Sequence, residues 1–330
     1  RSGIPATPTD IIYPYEAGYS VQKQNLNSDQ VSGIDGMVRW NDRVNDFNYF
    51  VGVNLTLARQ KTINNYGEVF LNGWDQYRWA QTNRWSNVKN GAVWMWETIG
   101  VFQTQEEIDN YPVNIDGANN VNLRPGDLIF KDVNGDGLID DYDKRPLGYA
   151  ATDYDWDSGN ANKNPLLSMG INLGFEYKGI DFAADFAGGF MNTFIGDWHV
   201  KYGIGTDQMG YVYNVIDSWQ HEDIFDTKSP WKRGKFPAVR SNNPSIRDWN
   251  DFYAKEINYL RLRNLVVGYT LPIKWTKKAL IQKLRVYFEG SNLLCWDSLN
   301  DFGFDPEISS VTGFDYPQHK VYTVGVNVTF

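Results

Sequence analysis

The chain holds a single cysteine, Cys295, in 330 residues, so no internal disulfide can form. It has 3 histidines, His199, His221 and His319, too scattered to match any metal-ligand spacing. Basic residues are outnumbered, 31 Lys and Arg against 40 Asp and Glu, and the formal net charge is −9. Phosphate binding needs clustered Lys and Arg, so a nucleic-acid partner is excluded. No stretch approaches eighteen consecutive apolar residues, which excludes a transmembrane helix. It does not exclude crossing by strands of ~10 alternating residues, a pattern that hydropathy averages hide. There is no HExxH, no GxSxG and no glycine-rich phosphate loop after a strand, so no enzyme is expected. The opening "RSGIPATPTD" lacks a charged and then apolar leader and reads as the middle of a loop. The expectation is a C-terminal piece of a longer protein.

What the chain does have is alternation. In "KVYTVGVNVTF" Tyr322, Val324, Val326, Val328 and Phe330 share one face, with small or polar residues mostly on the other. In "DFNYFVGVNLTL" Phe47, Tyr49, Val51, Val53, Leu55 and Leu57 oppose Asn48, Gly52, Asn54 and Thr56, with Phe50 the exception. "PLLSMGINLGFEYKG" and "GIDFAADFAGGF" behave alike, and "YLRLRNLVVGYTL" and "KLRVYFEGSN" alternate less cleanly. Period two over ten or so residues predicts strands. "TQEEIDNY" predicts a short helix and "KWTKKALIQK" a turn of one.

The connections carry the next inference. Lys178-Gly179, "NDRVND" and "PIKWTKKALIQK" are short, whereas 58–164, 191–258 and 292–318 are long. Short and long alternate along the chain, so every short turn falls on one side of the strands. Transmembrane barrels have this asymmetry, and a soluble sandwich has no reason to sort its loops by length. Trp40, Tyr177, Tyr259, Tyr269 and Phe330 stand near strand ends, where an interfacial aromatic belt is expected. The fold class is therefore all-β, an antiparallel transmembrane barrel portion with long extracellular loops. Alternation by itself also fits a large soluble β-sandwich.

"DVNGDGLIDDYD" has the spacing of a calcium loop. Asp132, Asn134 and Asp136 fall at positions one, three and five, with Gly137 at the sharp turn. Leu138 offers its carbonyl at seven, and Asp140 and Asp143 stand at nine and twelve. Oxygen donors so spaced wrap one hard cation, Ca2+ or, with the shorter Asp at twelve, Mg2+. The competing reading is an acidic turn held by its own side-chain hydrogen bonds.

The long connections are rich in tryptophan: Trp74, Trp79, Trp85, Trp94 and Trp96 in one, Trp198, Trp219, Trp231 and Trp249 in another. Flat indoles stack on the apolar faces of sugars, and the same rings also serve as packing or as interface anchors. All but Trp249 are candidates for substrate or partner contact.

"WETIGVFQTQEEIDNY", "PGDLIFKDVNGDGLIDDYDKRPLG" and "PLLSMGINLGFEYKGIDFAADFAGG", followed by "YLRLRNLVVGYTLP", "LRVYFEGSNLL" and "YPQHKVYTVGVNVTF", resemble in order the C-terminal barrel half of SusC/RagA-type TonB-dependent transporters of Bacteroidota. The resemblance spans essentially the whole chain. It implies part of a 22-stranded barrel in the outer membrane, with the plug and N-terminal extension outside this chain. It also implies uptake of oligosaccharides, or of peptides, beneath a SusD-like surface lipoprotein lid. Energy would come from the TonB-ExbB-ExbD complex through the N-terminal part. A soluble calcium-stabilised carbohydrate-binding module or glycosidase is the competing function, and a passive porin a further one.

Overall fold

The computed structural model describes residues 2–3, 16, 18, 24–26, 28–64, 73–75, 77, 92–149, 165–195, 217–238, 240, 243–246, 249–299, 305–307 and 318–330. Its main body is one antiparallel sheet. Seven long strands succeed one another: β2 (Ser28–Val44), β3 (Phe47–Asn64), β8 (Leu167–Tyr177), β9 (Ile180–Ile195), β12 (Ala254–Thr270), β13 (Lys283–Asp297) and β14 (Val321–Thr329). A short β1 (Ser2–Gly3) pairs with the outer edge of β2 at Asp29 and Gln30. Each strand lies beside the next one in sequence among these, so all-β architecture follows with no crossover. No helix among the described residues is long and apolar enough to cross a membrane.

The register explains why this arrangement is specified. Phe47, Tyr49, Val51, Val53, Leu55 and Leu57 of β3 stand opposite Tyr177, Phe175, Leu173, Ile171, Met169 and Leu167 of β8. On β9 the same row continues with Ile180, Phe182, Ala184, Phe186, Gly188 and Phe190. Tyr269, Val267 and Leu265 of β12 extend it, then Val286 and Phe288 of β13, then Val326 and Val324 of β14. A slip of one residue at any seam would set apolar side chains against polar ones, so the pattern itself fixes the pairing. Val51, Leu55, Ile180, Val267, Val286 and Val324 all remain exposed on this face.

A bulge between Leu262 and Asn264 shifts the alternation of β12. It keeps Leu262 and Leu260 on the apolar face, opposite Leu294 and Trp296, and Arg261 on the other, opposite Cys295. The second face is polar and glycine-rich. Asn172 donates to Asp185 at 2.7 Å and Thr56 to Asp35 at 2.7 Å, and Arg285 pairs with Asp181. Phe50, the break in the β3 pattern, lies on this polar face against Gly174. A Cβ there would come within 2.7 Å of the Phe50 ring, and the Arg39 guanidinium covers the ring at 4.9 Å. Tyr287 is seated on Gly325 in the same way.

The short turns and long connections sort as expected. β2 and β3 join through residues 45–46, β8 and β9 through 178–179, and β12 and β13 through 271–282. Lys178 and Gly179 both have positive φ, 48° and 88°, as a two-residue hairpin turn requires. The turn at 271–282 holds the helical residues Ile273–Thr276 and Lys277–Ala279. β3, β9, β12 and β13 run longer than the alternation predicts, and β2 carried no clean alternation at all. Its sequence, "SGIDGMVRWNDRV", places Asp42 among the apolar row, where the Tyr49 hydroxyl donates to it at 3.4 Å. The aromatic belt needs one correction. Trp40, Tyr177, Tyr269 and Phe330 are exposed, but Tyr259 shares the parity of Arg261 and packs inward on Ile257 and Leu299.

Candidate functional site

The buried core of the molecule lies outside the sheet, in the first two long connections. Trp96, Phe102, Ile108, Ile115, Leu123, Leu128, Ile129, Phe130 and Ile139 come from the β3–β8 connection, and Phe236 and Tyr253 from the β9–β12 connection. Small ribbons frame it: β4 (Ala92–Met95) pairs with β7 (Arg145–Tyr149), and β5 (Thr98–Val101) with β6 (Leu128–Phe130). The predicted helix spans Gln105–Asp109. The Thr104 hydroxyl caps it by accepting from the Glu107 amide at 3.2 Å.

Polar ties fasten the two connections together. Trp96 donates its amide to the Trp249 carbonyl at 3.0 Å and accepts from the Asp251 amide at 3.1 Å. The Leu128 amide donates to Ser245 Oγ at 2.8 Å. Arg240 forks onto the fully buried Asp127, with Nη1 to Oδ1 at 2.8 Å and Nη2 to Oδ2 at 2.5 Å. Burial holds the Asp127 carboxyl above the usual carboxylate range, against the pull of Arg240. Asp116 is the opposite case. Burial raises it, but amide donors from Asn122, Ala118 and Asn120 outweigh that and hold its carboxyl below the usual range.

The acidic loop sits on this core. Its apolar residue at position eight, Ile139, is buried, and the Ile139 amide donates to the Asn114 carbonyl at 3.0 Å. The six candidate ligand residues fall along one loop, but the five polar side chains among them accept from backbone amides. Asp132 accepts from Gly135 at 2.6 Å and Gly137 at 2.9 Å. Asn134 accepts from Asp136 at 3.0 Å, and Asp136 from Leu138 at 2.9 Å. Asp140 caps the turn 141–143 by accepting from Tyr142 at 2.7 Å. Asp143, wholly buried, accepts from Val133 at 2.8 Å and Asp140 at 2.9 Å. Among the described residues no three His, Cys, Asp or Glu side chains converge as a metal cluster. The donor chemistry suits a hard cation, yet the drawn arrangement is that of a loop held by its own hydrogen bonds.

The tryptophans divide. Trp94, Trp96 and Trp219 are only 7%, 2% and 5% exposed, so their rings are packed against protein. The Trp96 indole also donates to the Asp140 carbonyl at 2.7 Å, which ties the acidic loop to the core. Trp74 belongs to an open aromatic cluster: it stacks on Tyr77 at 5.6 Å, meets Tyr142 at 5.4 Å and Trp94 edge-on at 5.7 Å. Arg145 lies 5.8 Å from the Trp74 ring. Tyr77 and Tyr142 are exposed. Sequence reasoning missed both tyrosines, and the indole count was a signal only for the neighbourhood. Trp231 is elsewhere, its ring 4.0 Å from that of His221. Trp79, Trp85 and Trp198 lie outside the described residues.

A second hollow of about 440 Å³ opens where the β4–β7 ribbon meets the sheet. Arg59, Tyr149, Thr193 and Glu256 line it. The Tyr149 amide donates to Thr193 Oγ1 at 2.8 Å, and the Arg59 guanidinium lies 4.5 Å from the Tyr149 ring. Burial raises the Tyr149 hydroxyl above its usual range. On the polar face of the sheet, Asn41, Arg43, Asn48, Phe50, Glu176 and Arg285 border a larger open hollow of about 770 Å³.

With the geometry described, comparison with known proteins is informative. No family model matches the chain. TonB-dependent receptor P3 of Formosa agariphila is 25% identical over 96% of this chain, and receptor P26 of the same organism 24% over 97%. The chain spans 30% and 31% of the lengths of these two relatives. Among solved structures, the RagAB peptide transporter superposes on 98% of this chain with a TM-score of 0.60 and 22% identity, covering 31% of that chain. The RagAB peptide importer in its closed-closed state gives 0.58 over 97%. By sequence the chain is a relative of the TonB-dependent receptors, and by fold it is similar to a segment of the RagAB transporter.

Proposed function

We propose that this chain is the C-terminal barrel portion of a SusC-like, TonB-dependent importer of the bacterial outer membrane. The observation that carries the reading is the apolar face, in register across six strands from β3 to β14 and exposed at Val51, Leu55, Ile180, Val267, Val286 and Val324. A soluble protein of this kind would leave an unfavourable apolar surface in water. Lipid satisfies it. The polar face then lines a wet interior, and the folded connections stand at the extracellular end. Kinship to TonB-dependent receptors supports energy coupling through TonB-ExbB-ExbD outside this chain, and likeness to RagAB supports a SusD-like lipoprotein partner. In this reading the plug and the other barrel strands lie outside this chain.

The imported molecule is an oligosaccharide in this reading, supported by the open aromatic cluster of Trp74, Tyr77 and Tyr142 with Arg145 beside it. A peptide is the second reading, favoured by the printed description of RagAB as a peptide transporter. A divalent cation, calcium or magnesium, at Asp132, Asn134, Asp136, Leu138, Asp140 and Asp143 is proposed as a structural ligand of the loop. Its support is the spacing of the oxygen donors. Calcium titration calorimetry of the full protein, with Asp132→Ala as control, decides that point: a heat lost in the variant supports the ion, and no heat in either rejects it.

The test of the main reading is fractionation of native cells. Extraction of a polypeptide much longer than this chain from the outer membrane with detergent, together with a lipoprotein, is the expected result. Binding of that complex to defined oligosaccharides and to peptides then separates the two cargo classes. Recovery in the soluble fraction overturns the reading.

A further inference from the structure

β14 is shorter than β13 at one end: its first residue, Val321, pairs with Ser291, while β13 runs on to Asp297. Over the part of β13 that β14 leaves unpaired, the described stretch Asp305-Pro306-Glu307 of the connecting segment lies against the polar face of the sheet. Its contacts are specific. Arg261 of β12 is only 4% exposed. One of its terminal nitrogens, Nη2, reaches both Asp305 oxygens at 2.6 Å. Its Nε lies 2.9 Å from Glu307, and Nη1 donates to Gln318 at 3.1 Å. Arg263, from the bulge next door, pairs with Glu307 at 2.5 Å.

The local sequence suits this grip. A residue before proline is held extended, so Asp305 and Glu307 are presented at a fixed spacing. The Glu307 amide donates to Asp305 Oδ1 at 2.9 Å, which locks the short turn. Pro306 is buried. The guanidinium fork matches carboxylates in a way that lysine cannot. Arg261 lies nine residues from Thr270, the short-turn end of β12, about 30 Å along the strand at ~3.4 Å per residue, and its neighbour Cys295 is close to the end of β13, so the grip sits toward the long-connection end of these strands.

We propose that Asp305-Pro306-Glu307 is an internal strap, drawn onto the polar face by Arg261 and Arg263, that narrows the space beside β12 and β13. Its meaning for passage rests on the reading of the polar face as a barrel lumen, but its existence does not. Two arginines on the wall and two carboxylates on the connection make a contact that forms and releases as a unit.

Cys295 is a built-in reporter. It stands directly opposite Arg261 on the polar face and is half-buried. The experiment is the rate of Cys295 modification by a charged, water-soluble thiol reagent, in the full protein in detergent, with Cys295→Ser as the blank. Asp305→Asn combined with Glu307→Gln removes the grip from the connection and leaves the strands untouched. Arg261→Lys keeps the wall charge without the fork. The expected result is a labelling rate raised about tenfold in the double variant and by a smaller factor in Arg261→Lys. Heat-modifiable gel mobility should be unchanged, so that the barrel is known to be intact. Unchanged labelling in a folded double variant overturns the strap. Because the reading is of a local rate, it fails or succeeds independently of whether the full protein fractionates with the outer membrane.

Discussion

Val324 in the sheet and Phe102 in the first long connection are both large apolar side chains, yet one is 76% exposed and the other wholly buried. The contrast extends to their surroundings. The strands bury little against each other and turn an apolar row outward, whereas residues 92–149 with 217–253 collect their apolar residues around one core. A sheet in lipid needs its backbone groups paired and its outer side chains apolar. A connection in water needs a core of its own, because it has no lipid against which to hide those residues. In the proposed reading one chain follows two rules because it faces two solvents.

Substitutions break this comparison in a graded order. Arg240→Ala leaves Asp127 charged, buried and without its ion-pair partner, and should cost the folded connections about 3–5 kcal/mol. Limited proteolysis of the full protein should then cut within the connections while the barrel still shifts on unheated gels. Phe102→Ala empties part of the same core and should cost a similar ~3–5 kcal/mol, read by the same assay. In the sheet the rule reverses. Val324→Arg puts a charge on the apolar face and should lose ~2–4 kcal/mol in folding into vesicles, measured by urea titration. Thr323→Arg, one residue away on the polar face, should lose far less, and equal losses would remove the two-solvent reading.

Gly325→Ala is a finer probe of the polar face. A Cβ there would come within 2.3 Å of the Tyr287 ring, so the ring must swing away at a cost of about 1–3 kcal/mol. The smallest effect concerns acid. The Asp116 carboxyl is held low in the folded connection, so its contribution is complete above the unfolded carboxylate range and fades as pH falls through the folded value. Asp127, held high, acts with the opposite sign: its contribution weakens as pH rises through the unfolded range toward the folded value. Thermal melts of the Asp116→Asn variant should therefore lose the acid-side slope that the native protein shows. A slope that persists would assign it to other groups.

Much of the sheet was legible beforehand because period two is a local signal. Each of "FVGVNLTL", "LSMGINLGFEY" and "YTVGVNVT" contains its own face assignment, and the sorting of turn lengths needed only counting. β2 was hidden because Gly36 and Asp42 interrupt its apolar row, which is completed only by the partner strand. Tyr259 was misplaced because a bulge at Leu262/Asn264 changes parity, and bulges leave no trace in composition. For the candidate site, the spacing of Asp132 to Asp143 marked the loop, but the direction of each carboxylate was not in the spacing. The indole count could not separate Trp96 and Trp219, which are buried, from Trp74, which lies among Tyr77 and Tyr142.

The sequence by itself determined the strands other than β2, most of their faces and which connections are long, since neighbouring residues on one chain decide those through sterics and hydropathy. The tertiary structure decided which tryptophans are spent on packing, where the acidic side chains point, and that Asp305 and Glu307 meet Arg261 across 44 residues or more of chain. Those outcomes depend on contacts between distant segments, whose energies appear only when the segments are brought together.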